Sequence, residues 1–161
     1  MARAKESADP FILSESTLYL SHHLRSVDNG RVILPPDWRL EGTPKDLVIT
    51  PRPAVAPRHL LVVPVARWEA FVKNLEAAMT SNQQAGEVES VMSESTTRRV
   101  VDNYGRLALP EDALKALGIS SEVMLVGRMN KFEIWEPAKY QAYRSKIDLG
   151  AVGKLIDSVR I

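Results

Sequence analysis

Apolar residues in this chain come in short runs separated by turn formers, and the same order of runs occurs twice. Ser26-Val-Asp-Asn-Gly-Arg-Val-Ile-Leu-Pro-Pro-Asp37 parallels Val101-Asp-Asn-Tyr-Gly-Arg-Leu-Ala-Leu-Pro-Glu-Asp112. Each reads acid, turn, Gly-Arg, apolar triplet, Pro, acid. Downstream, Lys45–Thr50 parallels Ser121–Val126, and Leu60–Phe71 parallels Phe132–Tyr143. Ordered blocks that recur in this way mark an internal duplication of one small β-rich unit.

The pattern predicts elements. Asn29-Gly30 is a hairpin signal, because both residues tolerate the positive φ of a tight turn. The second copy spreads its turn over Asp102 to Gly105. Val32–Leu34 and Leu107–Leu109 read as short strands. Pro110-Glu-Asp opens a short helix, with Pro suited to the first position and acids to the N-terminus. Gly118 is placed to end it. Pro35 to Gly42 does the same more briefly. Further strands fall near 46–50, 59–63, 122–127 and 131–135. Trp68, Phe71, Val72, Leu75 and Met79 fall on one face of a helix, a stripe expected to be core. Thr80 to Ser95 is polar and connects the repeats, with Val88, Val91 and Met92 able to support a short helix. A helix from Pro137 to about Lys146 closes the second repeat. Val152, Leu155, Ile156 and Val159 repeat at helical spacing in the tail, which could dock on its own domain or on a neighbour.

Composition narrows the function classes. The 161 residues suit one ordinary domain or two small ones, and 45% are apolar. There is no cysteine, so disulfides and thiolate chemistry are excluded. No apolar run approaches the ~18 residues of a membrane span, and the first residues lack the apolar stretch of a secretory signal. A cytoplasmic protein is expected. Net charge is only +1, less basic than most nucleic-acid-binding domains. Its distribution says more. Arg52, Arg58 and Arg67 lie in an acid-free stretch, and Arg98, Arg99 and Arg106 face Asp102 alone, while Glu76, Glu87, Glu89 and Glu94 gather elsewhere. Such segregation fits either a polyanion partner or a solvated surface.

Catalytic frames are missing. His22, His23 and His59 are the three histidines. His22 and His23 are adjacent, so on a strand they point to opposite faces and cannot easily share a metal. No nucleophile elbow, phosphate loop or zinc-protease motif occurs. No catalytic residue, metal site, cofactor or small-molecule substrate is expected. The duplicated Gly-Arg is the exception to this plainness. A hairpin mouth holds Arg31 or Arg106 ready to donate bidentately to a phosphate or a guanine edge. Pairing with the neighbouring acid, Asp28 or Asp102, is the competing use, and the two are compatible.

At these residues the chain resembles the MraZ family, whose fold is the double-barrel relative of the SpoVT-AbrB type. The family pattern is two copies of Asp-x-x-Gly-Arg, each followed by an apolar triplet, Pro and a short helix. Asp102-Asn-Tyr-Gly-Arg106-Leu-Ala-Leu-Pro110 matches in full. Val126–Trp135 and Leu60–Trp68 resemble the two closing blocks, so the resemblance spans about residues 14–147. The first copy departs from the pattern, since Asp28 lies three residues before Arg31 rather than four. The basic residue common before the Gly is replaced by Asn29 and Tyr104, which removes phosphate contacts.

The resemblance implies an α+β fold, a pseudo-symmetric double β-barrel of two tandem SpoVT-AbrB-like repeats with outer helices. Residues 1–13 are expected to be a disordered N-terminus, 14–80 the first repeat, 81–95 a linker, 96–147 the second repeat and 148–161 a tail helix. It further implies a cytoplasmic, nucleoid-associated transcriptional regulator. That regulator would bind promoter direct repeats of a cell-division and cell-wall gene cluster, on double-stranded DNA, as a ring-shaped homo-oligomer without a membrane partner. The expected DNA-binding residues are Arg31, Arg106, Asn29, Asn103, Tyr104, Arg25 and Arg99, with Asp28, Gly30, Asp102 and Gly105 shaping the turns. Two other readings compete, an AbrB-like protein-interaction module such as an antitoxin and an enzyme using a barrel cleft. Antitoxins usually carry one copy of the motif and a disordered tail.

Overall fold

The computed structural model describes residues 18–80 and 84–160. The expected N-terminal segment 1–13 lies outside them, as do residues 14–17 of the first repeat and 81–83 of the linker. The architecture is α+β. Strands β1 (His22–Ser26), β2 (Arg31–Ile33), β3 (Asp46–Arg52) and β4 (His59–Pro64) precede helices α1 (Val65–Ala78) and α2 (Ala85–Ser95). Then come β5 (Thr97–Val100), β6 (Arg106–Ala108), α3 (Glu111–Ala116), β7 (Glu122–Gly127), β8 (Phe132–Trp135), α4 (Pro137–Ser145) and α5 (Leu149–Ser158).

Among the described residues all strand pairings are antiparallel. Six strands form one open sheet in the order β1-β7-β8-β4-β3-β5, and β2 pairs with β6 as a separate two-stranded ribbon. The order is a palindrome under the sequence duplication. Exchanging β1 with β5, β3 with β7 and β4 with β8 returns the same list reversed. Every strand of the first half is therefore bonded to a strand of the second, so neither half keeps its strands to itself.

Burial follows from this arrangement. Leu47, Ile49, Leu60, Val62, Val123, Leu125, Phe132 and Ile134 point from one face of the sheet into a common core. Val32 and Leu107, both 0% exposed, close that core from the ribbon side. Burying such a side chain contributes roughly 1.5–3 kcal/mol. The other face of the sheet is also covered where β7 and β8 run. There Met124, Val126 and Trp135 pack with Tyr140 and Tyr143 of α4. Strands buried on both faces lose the apolar–polar alternation, which is why β7 and β8 read as nearly continuous apolar runs. Edge strands β1 and β5 alternate between exposed and half-buried positions instead.

Local signals act as their chemistry requires, with three adjustments. Pro110 is the N-cap of α3 rather than its first residue, its carbonyl accepting from the Leu114 N–H at 3.1 Å. Gly118, at φ +74°, ends that helix, and the Ile119 N–H reaches back to the Leu114 carbonyl. In the first half two successive prolines leave only a single 3-10 turn, Pro36–Trp38. The third adjustment concerns the stripe on α1. Met79 is buried, but Trp68, Val72 and Leu75 are only half-buried and Phe71 is 36% exposed. The stripe faces α2 across an open groove instead of entering the core. A periodic apolar face tells which side of a helix is apolar, not that its own chain covers it.

Candidate nucleic-acid interface

The ribbon carries the two Gly-Arg turns. Its first turn is a two-residue hairpin loop. Asn29 at φ +52° and Gly30 at φ +73° let Asp28 and Arg31 exchange both backbone hydrogen bonds, at 2.9 and 3.0 Å. The second turn is one residue longer. Asn103, Tyr104 and Gly105 (φ +81°) form a loop closed by bonds from the Asp102 N–H to the Arg106 carbonyl and from the Gly105 N–H to the Asp102 carbonyl, both 3.0 Å. A three-residue loop with glycine in the left-handed position is the expected solution for that length.

The extra residue changes what the acid does. Asp102 Oδ1 accepts from the backbone N–H groups of Tyr104 and Arg106, both at 2.9 Å, and its Oδ2 accepts from Arg106 Nε at 2.7 Å. The Arg106 backbone N–H, and after it the Arg106 guanidinium and the Tyr104 N–H, hold the Asp102 carboxyl below the ordinary aspartate range despite some desolvation. The Arg106 guanidinium also lies over the Tyr104 ring, 5.0 Å from its centroid. Only Nε is taken by Asp102, so the two terminal amino groups remain available to an outside acceptor. In the shorter hairpin, Asp28 has no such role. Among the described residues no ion pair joins it to Arg31, whose guanidinium has no carboxylate within 4.0 Å.

Register brings the arginines together. Arg31 lies opposite Ala108 and Ile33 opposite Arg106. Side chains alternate along a strand, so Arg31, Ile33, Arg106 and Ala108 share the outward face while Val32 and Leu107 share the buried one. Arg25, Asn29, Arg31 and Arg106 then line one hollow with Ser26, Asp28 and Ile33. Tyr104 stands out from the second loop at 75% exposure. Asn103 lines a separate small hollow with Asp102 and Gly105. Arg99 is not in either hollow. It occupies on β5, opposite Leu47, the place that Arg25 occupies on β1, opposite Val123. Both guanidiniums bond the preceding carbonyl at 3.1 Å. Arg98, beside it, is taken up by Asp46, whose carboxyl it holds below the usual range.

Two cations near the second hairpin were not singled out from the sequence. Arg39 and Lys45 line the hollow with Asn103. Arg39 Nε donates to the Leu34 carbonyl at 2.7 Å, and its side chain lies so close to Gly105 that a Cβ there would strike it. Gly30, by contrast, faces open space. The duplication hides Arg39, because the corresponding position in the second copy is the apolar Leu114.

The histidines and Arg58 pack within the fold. His23 meets Trp38 edge-on at 5.3 Å while His22 lies 6.4 Å from Tyr140, so the adjacent pair does diverge. His59 is buried, 3.3 Å from Glu133, and stacks on Trp135, which donates to Glu133 at 2.8 Å. Burial alone raises the Glu133 carboxyl, but the bonds from His59 and Trp135, with the nearby charge of Arg128, outweigh it and the net shift is downward. Arg58 covers the Trp135 and Tyr143 rings at 5.6 and 5.1 Å. Among the described residues no cluster of His, Asp and Glu suits a metal ion, and no helix is long and apolar enough to cross a membrane.

A family model for the MraZ protein, whose description adds "antitoxin-like", matches residues 92–151, which include the second hairpin. A relative from Klebsiella pneumoniae named Transcriptional regulator MraZ is 30% identical over 139 residues, 81% of this chain and 89% of the relative. The chain belongs to the MraZ family. A relative of the same name from Histophilus somni is 30% identical over 129 residues, 78% of this chain and 84% of its own. One from Saccharopolyspora erythraea is 25% identical over 123 residues, 76% and 83% of the two chains. The class these MraZ names state, regulation of transcription, is not an enzymatic one.

Proposed function

We propose that this MraZ-family chain is a sequence-specific DNA-binding transcriptional regulator whose contact surface is the outward face of the β2–β6 ribbon. The observation that carries the reading is the convergence of Arg25, Arg31 and Arg106 on one hollow, with Asn29 at its edge. Asp102 is the carboxylate bonded to one of these arginines, and it leaves the terminal nitrogens of Arg106 outward. Arginine donates bidentately both to phosphate and to guanine, so the same face can hold the backbone and read an edge. Asn103, Tyr104 and Arg99 extend it, Gly30, Gly105 and Asp102 set the shape of the loops, and Asp28 closes the first through its backbone.

In this reading the open sheet and the ribbon together form a pseudo-symmetric double barrel in which two SpoVT-AbrB-like repeats interleave their strands, and the palindromic strand order supports it. The protein assembles as a ring and sits on promoter direct repeats of a cell-division and cell-wall gene cluster, in the nucleoid. Repeated weak contacts then add through avidity, which offsets the modest net charge. The test is binding to a promoter fragment with direct repeats, against a scrambled fragment of equal length, across a salt series. Specific binding whose logarithm falls linearly with log salt is expected. Equal affinity for both fragments removes sequence specificity. No binding of either favours the antitoxin-like alternative that the family description names, in which the partner is a protein.

A further inference from the structure

The described chain carries two apolar surfaces that its own fold leaves open, and they differ in shape. One is concave. Trp68, Phe71, Val72 and Leu75 of α1, with Met79, face Met92 of α2 across a groove. The other is convex. Helix α5 buries none of its residues, and Leu149, Val152, Leu155 and Ile156 fall on one side of it at helical spacing, with Leu155 70% exposed and Val159 exposed just past its end. Contiguous exposed apolar patches of this kind mark interaction sites.

We propose that α5 of one subunit seats its apolar face in the α1–α2 groove of a second copy of this chain. Charge supports that occupant. Helix α2 carries Glu87, Glu89 and Glu94 and no basic residue, and Glu76 and Glu89 line the groove. The stretch around α5 carries Arg144, Lys146, Lys154 and Arg160 against Asp148 and Asp157. An acidic groove attracts the basic residues that flank α5, whereas two such grooves repel each other. Order along the chain supports it as well. α5 follows α4 in the second half as α2 follows α1 in the first. The first half thus keeps its second helix beside the sheet, and the second half holds its own out for another chain.

The contact joins different surfaces, so it is heterologous. Heterologous contacts propagate head to tail and end in a ring when the rotation closes. The proposal deepens the ring reading above and rests on it, because it names the joint.

The experiment is light scattering on the full chain and three variants, without DNA, beside their melting curves. Leu155→Glu spoils the helix and leaves the groove. Phe71→Glu spoils the groove and leaves the helix, at a position already partly in water. Glu89→Lys reverses charge at the groove rim with no loss of apolar surface, and covers the case in which Phe71→Glu fails to fold. Leu155→Glu and Phe71→Glu should each run as monomers of 17.9 kDa, and Glu89→Lys should dissociate at higher protein concentration than wild type. Mixed together, the helix and groove variants hold one good joint between them and should give a species of twice that mass and nothing larger. An oligomeric wild type whose variants keep its mass overturns the proposal and leaves the ring standing. A mixture that stays monomeric, or a Leu155→Glu chain that only melts earlier, overturns it too. A monomeric wild type sinks the ring reading itself.

Discussion

Replacing Arg106 by Ala should weaken promoter binding more than replacing Arg31, for a reason that lies in the two loops. An arginine that reads a base edge contributes on the order of 1–3 kcal/mol, about 5- to 150-fold in affinity. Ordering a long side chain on binding costs ~0.5–1.5 kcal/mol. Arg106 is already held by Asp102 at 2.7 Å and by the Tyr104 ring, while among the described residues Arg31 has no carboxylate partner. Arg106 therefore delivers more of its interaction, and the two variants should differ by a factor of roughly 2 to 10. Asp102→Asn separates orientation from charge. It frees the guanidinium and removes an anion, so affinity for the scrambled fragment should rise while discrimination falls, and the salt slope should steepen. The assay is fluorescence anisotropy of both fragments across a salt series, with melting curves alongside. Wild-type binding by Arg106→Ala, with a lowered melting temperature, would show that the Asp102–Arg106 pair only locks the turn.

Three further outcomes follow from the packing. Leu107→Ala, in the fully buried ribbon face, should cost about 2–5 kcal/mol and lower the melting temperature by roughly 5–15 °C; a smaller fall means the ribbon is not closing the core. Gly30→Ala should cost only the left-handed strain of about 1–2 kcal/mol, since the methyl meets open space. Gly105→Ala must also displace Arg39, so it should cost more, and Arg39→Ala in the same chain should recover the difference; equal losses at the two glycines refute this. The third concerns pH. The folded Glu133 carboxyl lies below its ordinary value, so the unfolded chain binds the proton more readily. Its contribution is present above the ordinary glutamate pKa near 4.3 and is lost as pH falls through the folded value. Melting temperature measured from about pH 6 to 3 should fall less steeply for Glu133→Gln than for wild type, and parallel curves would refute the assignment.

The sequence by itself determined what depends on neighbours a few residues away. Asn29-Gly30 could only be a tight turn, Gly118 could only end its helix cheaply, and the duplicated Asp, Gly and Arg spacing pointed to two loops of one kind. Even the missing residue in the first copy was readable, because hairpin length is counted along the chain. Tertiary structure decided what depends on partners far away. Whether Arg31 and Arg106 share a face follows from the β2–β6 register, which pairs residues about 75 positions apart in the chain. The Asp102–Arg106 bond, absent from the shorter loop, needed the loop conformation and not its composition. Arg39 came to the site through space, unannounced by the repeat that flagged the other arginines. The stripe on α1 shows the same limit from the apolar side. Periodicity fixes which face of a helix avoids water, but the surface that covers it is chosen by whatever else lies in reach, and here that includes a second helix and an open groove.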